Sequence, residues 1–255
     1  MTESVIVTRN DRVLEVAFNR PEKKNALTRE MYGAVVGALE TATNDPAIRV
    51  VLLTGHGDTF TSGNDIKDFQ ARAARNERSA ASPFLSALST FRKPLVAAVN
   101  GAAIGVGTTM LAHCDLIIAA KAARFVMPFT SLGLVPEAGS SLLFPQLVGL
   151  QRANALLLMG ESLDAETAHA WGFVNQVVEN DALMTTARAV TARLAALPPA
   201  AVRLTKRLIR DGKPELPARI EEELVVFRDR VTSPEAGEAF QAFVEKRKPD
   251  FSRFE

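Results

Sequence analysis

Three short runs, residues 50–54, 95–99 and 116–119, are apolar on both faces and are separated by helical segments. A strand that meets water on one side alternates, whereas one covered on both sides does not. The runs therefore predict parallel strands sandwiched between helices and built from βαβ units. Ahead of them, residues 5–8 and 13–18 alternate around Asn10-Asp11 and predict a hairpin. Thr28 is placed to cap a helix that carries Met31, Val35 and Leu39 on one face. From about Gln151 helical patterns dominate, at 153–159, 165–171, 183–196, 200–209 and 219–232. Pro198-Pro199 divides two of them, and Pro199 suits the first turn of the second. The 255 residues contain no internal repeat, low-complexity tract or flexible linker. The expectation is one large α/β domain, with a helical C-terminal part packed on it or on a neighbouring subunit.

Two of the apolar runs lead into glycine-bearing loops. Phe60-Thr61-Ser62-Gly63-Asn64-Asp65-Ile66 comes after the first, and Asn100-Gly101-Ala102-Ala103-Ile104-Gly105-Val106-Gly107 after the second. Taken singly, a strand followed by such a loop is ordinarily a tight turn. Side by side, two of them offer something more. Small residues let backbone come close to a ligand, and a helix start presents free N–H groups. Together these are the parts of an oxyanion hole. The second loop meets neither G-x-G-x-x-G nor the Gly-Lys-Ser/Thr of a Walker loop, so neither a dinucleotide nor a nucleotide triphosphate is expected there.

Other features narrow the function by exclusion. Thirty Lys and Arg against 29 Asp and Glu leave a net charge of +1, with no general pull toward nucleic acid or a membrane. Cys114 is the only cysteine, which excludes an intrachain disulfide and fits a reducing compartment. The N-terminus has no apolar leader core, and no stretch is long enough to span a bilayer. Ser252-Arg253-Phe254-Glu255 is not a peroxisomal address, and a cytoplasmic location is expected. His56, His113 and His169 lack ligand spacing, so no metal is expected. Ser140-Ser141 is not a nucleophile elbow. Glu137 stands just ahead of an apolar helix, where the helix dipole favours an acid.

An ordered set of motifs runs nearly end to end. It comprises Asn19-Arg20-Pro21 with Asn25-Ala26-Leu27, the loop from Phe60 to Lys67, and Lys93-Pro94-Leu95-Val96-Ala97-Ala98-Val99-Asn100-Gly101. Cys114-Asp115, Gly172-Phe173-Val174 and Phe243-Val244-Glu245-Lys246-Arg247-Lys248 complete it. As a set it resembles the crotonase superfamily, the enoyl-CoA hydratase/isomerase family. The resemblance implies a crotonase (ClpP-like) fold of stacked ββα units. Residues 1–195 would form the core with the CoA and acyl site. Residues 196–255 would form a helical region for oligomerisation, as a homotrimer or hexamer. It also implies an acyl-CoA thioester as substrate, with coenzyme A entering as part of it and no separate cofactor.

The same resemblance assigns roles. The amides of Asn64 and Val106 would hold the thioester oxygen. The two glutamates of family hydratases fall at Thr109 and at Phe129, after Pro128, so both carboxylates are missing. Pro136-Glu137, with Ser62-Gly63-Asn64-Asp65, resembles the Δ3,Δ2-enoyl-CoA isomerases of fatty-acid β-oxidation, particularly the peroxisomal type, in which this glutamate is the single acid/base. Ser62, Gly63, Ile66, Gly105, Phe129 and Leu132 would border the substrate, with Leu134 adding to an apolar pocket that raises the pKa of Glu137. Lys24 and Lys67, with Lys23, would meet the CoA phosphates. Lys246 and Lys248, expected in a C-terminal helix, would approach a neighbour's CoA. Asp65 is expected to bond loop backbone. A hydratase-like enzyme and a non-catalytic acyl-CoA-binding protein are the alternatives.

Overall fold

The computed structural model describes residues 3–66, 81–210 and 215–251. Among the described residues ten strands form two sheets. The first sheet has the order β1-β2-β3-β5-β7-β10. Its members are β1 (Val5–Asn10), β2 (Val13–Phe18), β3 (Val50–Gly55), β5 (Leu95–Val99), β7 (Leu116–Ala120) and β10 (Gln176–Val178). β1 and β2 make the expected antiparallel hairpin, and every later neighbour is parallel. The second sheet has the order β4-β6-β8-β9. It holds β4 (Thr59–Thr61), β6 (Ala102–Ile104), β8 (Arg124–Val126) and β9 (Leu163–Asp164). Each of β3, β5 and β7 is thus followed by a shorter strand that crosses to the second sheet, which makes the repeat a ββα unit.

Why the long strands lack alternation is visible in what each face meets. Val51 and Leu53 face the main core between the sheets, with Leu95, Ala97 and Val99 beside them. Val50, Leu52, Val96, Ala98 and Ile118 face the other way, against Leu183, Ala187 and Ala195 of a single covering helix. Both faces are dry, so neither tolerates polar residues.

Among the described residues the helices are α1 (Arg29–Asn44), α2 (Ala81–Thr90), α3 (Val106–Thr109), α4 (Ser140–Val148), α5 (Leu150–Leu158) and α6 (Ala165–Ala170). They continue with α7 (Leu183–Ala196), α8 (Pro199–Arg210), α9 (Leu216–Val231) and α10 (Pro234–Glu245). Thr28 caps α1 as expected, its side chain accepting from the Met31 amide. Pro199 opens α8. That helix buries none of its residues and is tied down by charge: Lys206 and Arg210 reach Asp115 at 2.7 and 3.2 Å. None of the described helices is long and apolar enough to cross a membrane.

The C-terminal lysines depart from the expectation. α10 ends at Glu245, and Lys246 is its C-cap at φ 55°. The chain then turns back, because Arg247 pairs with Glu238 at 2.6 Å. Lys246 and Lys248 are therefore exposed and lie beyond the helix.

Candidate active site

The two glycine loops leave the ends of neighbouring parallel strands. β4 pairs with β6 in the register Thr59↔Ala102 and Thr61↔Ala103, so residues 62–64 and 105–107 emerge side by side. Glycine lets them touch through main chain. A Cβ on Gly63, at φ 86°, would lie 2.7 Å from the Ile104 carbonyl oxygen. One on Gly107 would lie 2.5 Å from the Thr61 methyl.

The pairing also sets where one amide points. Leu27 donates its N–H to the Gly63 carbonyl at 2.8 Å and accepts from the Asp65 amide at 2.9 Å. In a parallel bridge of this kind the residue between those two bonds turns its own N–H to the opposite side. That residue is Asn64. Its side chain is fixed as well, Oδ1 accepting from the buried Tyr32 hydroxyl at 2.7 Å. On the second loop Gly105, at φ 57°, is the N-cap of α3, and its carbonyl accepts from Thr108 and Thr109. Val106 is the first residue of that helix, where an amide has no partner within the helix. Asp65 is held in an ion pair with Arg20 at 3.2 Å, in keeping with a structural role.

Glu137 lies in the turn before α4 and is 4% exposed. Its Oε1 accepts from the Thr109 hydroxyl on α3. Burial pushes its carboxyl up to about 7, the Thr109 hydrogen bond opposes the rise, and the negative charge of Glu223 adds to it. The next two residues, Ala138 and Gly139, are both left-handed, at φ 63° and 69°. The His113 ring meets the Ala138 carbonyl at 2.8 Å. Glu223, from α9, accepts from the amides of Gly139 and Ser141.

The remaining expected site residues differ in burial. Ser62 is half-buried, and its amide donates to the Lys24 carbonyl at 2.9 Å, joining the loop to Lys24, whose side chain is exposed. Ile66 and Leu132 are half-buried against the main core, and Leu134 is buried in it. Phe129 is also buried there, its ring edge-on to Phe227 of α9 at 6.5 Å. Lys67 lies outside the described residues. Burial, with the Asp115 charge beside it, pushes the Cys114 thiol up to about 12, away from the thiolate form that reacts.

Two contributors escaped the sequence reading. Tyr32 looks like one more core residue of α1. Glu223 had a signal: Ile220, Leu224 and Phe227 make a buried stripe on α9, and Glu223 stands inside it. A carboxylate on a core-facing stripe needs donors of its own.

Comparison with known proteins agrees with this architecture. The family described as enoyl-CoA hydratase/isomerase matches residues 8–253. Enoyl-CoA delta isomerase 2 of Rattus norvegicus is 37% identical over 97% of the chain, which spans only 65% of that protein's length. The 2,3-dehydroadipyl-CoA hydratase of Escherichia coli (strain K12) is 33% identical, over 97% of this chain and 98% of that one. A crystal structure of an enoyl-CoA hydratase/isomerase from Pseudoalteromonas atlantica T6c superposes with a TM-score of 0.93 at 48% identity, covering 98% of this chain and 100% of that one.

Proposed function

The chain belongs to the enoyl-CoA hydratase/isomerase family, and from that premise we propose that it is a Δ3,Δ2-enoyl-CoA isomerase. The observation that carries this reading is the setting of Glu137. It is a buried carboxyl, raised to about 7, whose hydrogen-bonding neighbour is a hydroxyl, Thr109, at a position where the family resemblance implies one of the two hydratase glutamates. Phe129, at the other hydratase position, is packed in the core. One acid/base is enough to move a proton, whereas adding water calls for two groups to handle it.

As carboxylate, Glu137 takes a proton from C2 of a 3-enoyl-CoA. The electron pair delocalises into the thioester as a dienolate, and the amides of Asn64 and Val106 hold its oxygen. Donors fixed in place for that charge lower the barrier by about 3 kcal/mol each. Glu137 then returns the proton to C4, the double bond comes to rest between C2 and C3, and the enzyme ends as it began. The dry setting strengthens the carboxylate as a base and keeps water from the dienolate. Ser62, Gly63, Ile66, Gly105, Phe129 and Leu132 border the acyl-CoA, and Lys24 stands beside the first loop to meet a phosphate. The enzyme serves fatty-acid β-oxidation. Leu204, Leu208 and Ile209, exposed on α8, support assembly through the helical region into a homotrimer or hexamer.

The test is ultraviolet absorbance with 3-hexenoyl-CoA, which rises as the double bond conjugates with the thioester. Wild type should convert it. Glu137→Gln should lose at least about a thousandfold in kcat while binding 2-hexenoyl-CoA within about threefold of wild type by calorimetry. Retained turnover in that variant sinks the assignment. Loss of the 2-enoyl signal in wild type would indicate hydration, and no change with either substrate a binding protein.

A further inference from the structure

The turn that carries Glu137 is held from a distant part of the chain. Glu223 projects from α9 and is 7% exposed. Its Oε2 accepts from the Gly139 amide at 2.6 Å, and its Oε1 accepts from the Ser141 amide at 3.0 Å and from the Ser141 hydroxyl. Three donors on one carboxylate all come from the segment immediately after Glu137. The helix itself presses on the same place, because a Cβ on Gly139 would lie 2.4 Å from Leu216 Cδ1 and 3.2 Å from Ile220 Cγ1. Between them sits Ala138 at φ 63°, a conformation that an alanine keeps only where its surroundings hold it.

A neutral side chain would cap the start of α4 at less cost, since burying a carboxylate is expensive even when it is hydrogen-bonded. This carboxylate is also a second negative charge beside Glu137, and like charges sharing a dry site oppose each other's ionisation. Both costs fall on the reacting group and its backbone.

We propose that Glu223 is the positioning residue for Glu137: by clamping the 138–141 turn through Gly139 and Ser141, it sets where the reacting carboxylate stands. The inference rests on Glu137 being the acid/base. Thr109 faces Glu137 from α3, and Glu223 faces it from α9. Burial pushes the Glu223 carboxyl up, the Ser141 and Gly139 donors and Arg219, one turn back on α9, oppose that rise, and His113 meets the carbonyl of Ala138.

Glu223→Gln keeps the shape, removes the charge and turns an amide toward groups that need an acceptor. With 3-hexenoyl-CoA, kcat per folded enzyme should fall about 10- to 100-fold, with KM within about twofold. The midpoint of the Glu137 carboxyl, followed by 13C NMR, should move down by about one pH unit. Ser141→Ala removes one of the three donors and should lower kcat about threefold. It decides the matter by itself should Glu223→Gln not fold. A lowered Tm with kcat and midpoint both unmoved would mean that Glu223 serves folding alone, and would overturn the proposal. The titration needs no substrate. If wild type fails to isomerise 3-hexenoyl-CoA, the isomerase reading falls, while the midpoint still reports whether Glu223 governs Glu137.

Discussion

The hydroxyl of Thr109, on the short helix that begins at Val106, donates to Oε1 of Glu137. The same hydroxyl lies 3.4 Å from the Val106 carbonyl oxygen. A hydroxyl has one proton to give. It points to Glu137 while that group is charged, and once Glu137 is protonated it is free to accept from it and turn to Val106. Thr109→Val removes the hydrogen bond that favours the charged form. The acidic limb of kcat/KM should then move up by about half to one pH unit, and Thr109→Ser should bring it back. Superimposable profiles for the valine variant and wild type would refute this coupling.

A base must be ionised to act, so kcat/KM for a 3-enoyl-CoA should climb with pH. Because burial holds Glu137 at about 7, the midpoint should fall near neutrality. A profile already flat at pH 6 would place the limiting base elsewhere.

The same shift has a cost in stability. The Glu137 carboxyl is raised from 4.5 to about 7 in the folded protein, which therefore binds more protons than the unfolded chain between those values. Its contribution is fully present below pH 4.5 and is lost as pH rises through 7. Glu137→Gln removes that loss. At pH 8 the variant should be more stable than wild type by about 3 kcal/mol, and the gap should narrow to under about 1 kcal/mol by pH 5. Urea melts at the two pH values measure it.

Gly63→Ala tests the contact between the loops. At φ 86°, with the Ile104 carbonyl 2.7 Å from the new methyl, the neighbour is backbone of a paired strand and cannot yield. A loss of about 2–4 kcal/mol and at least about a hundredfold in kcat is expected. Gly37→Ala is the control. It lies exposed in α1 with nothing within 4 Å of a Cβ, and should gain about 0.5–1 kcal/mol without changing kcat. Equal effects at the two positions would count against the close approach.

How far the sequence reveals this molecule depends on how local each signal is. Val50 to Leu53 read as a strand dry on both sides because one helix covers Val50 and Leu52 while the core between the sheets takes Val51 and Leu53. The second sheet was hidden. β4 and β6 are three residues each, too short to show a period, and lie inside segments that read as loops. Glu137 was legible through its place among the motifs. The Glu223 clamp was not, because 84 residues separate it from Gly139 and only the folded chain brings them together. Lys246 was assigned to a helix because nothing in its neighbourhood announces a stop. The left-handed turn there is a lysine, not the glycine that usually marks one.

Main-chain amides at the ends of two neighbouring strands cannot be mutated away, since every amino acid but proline supplies one. An ancestral scaffold of this kind bequeaths the electrophile's seat intact and leaves the choice of reaction to a handful of codons. Side chains around such a seat can change without disturbing the amides, so the fold by itself does not fix the reaction. Positions 109, 129 and 137 would sort such descendants better than overall identity does.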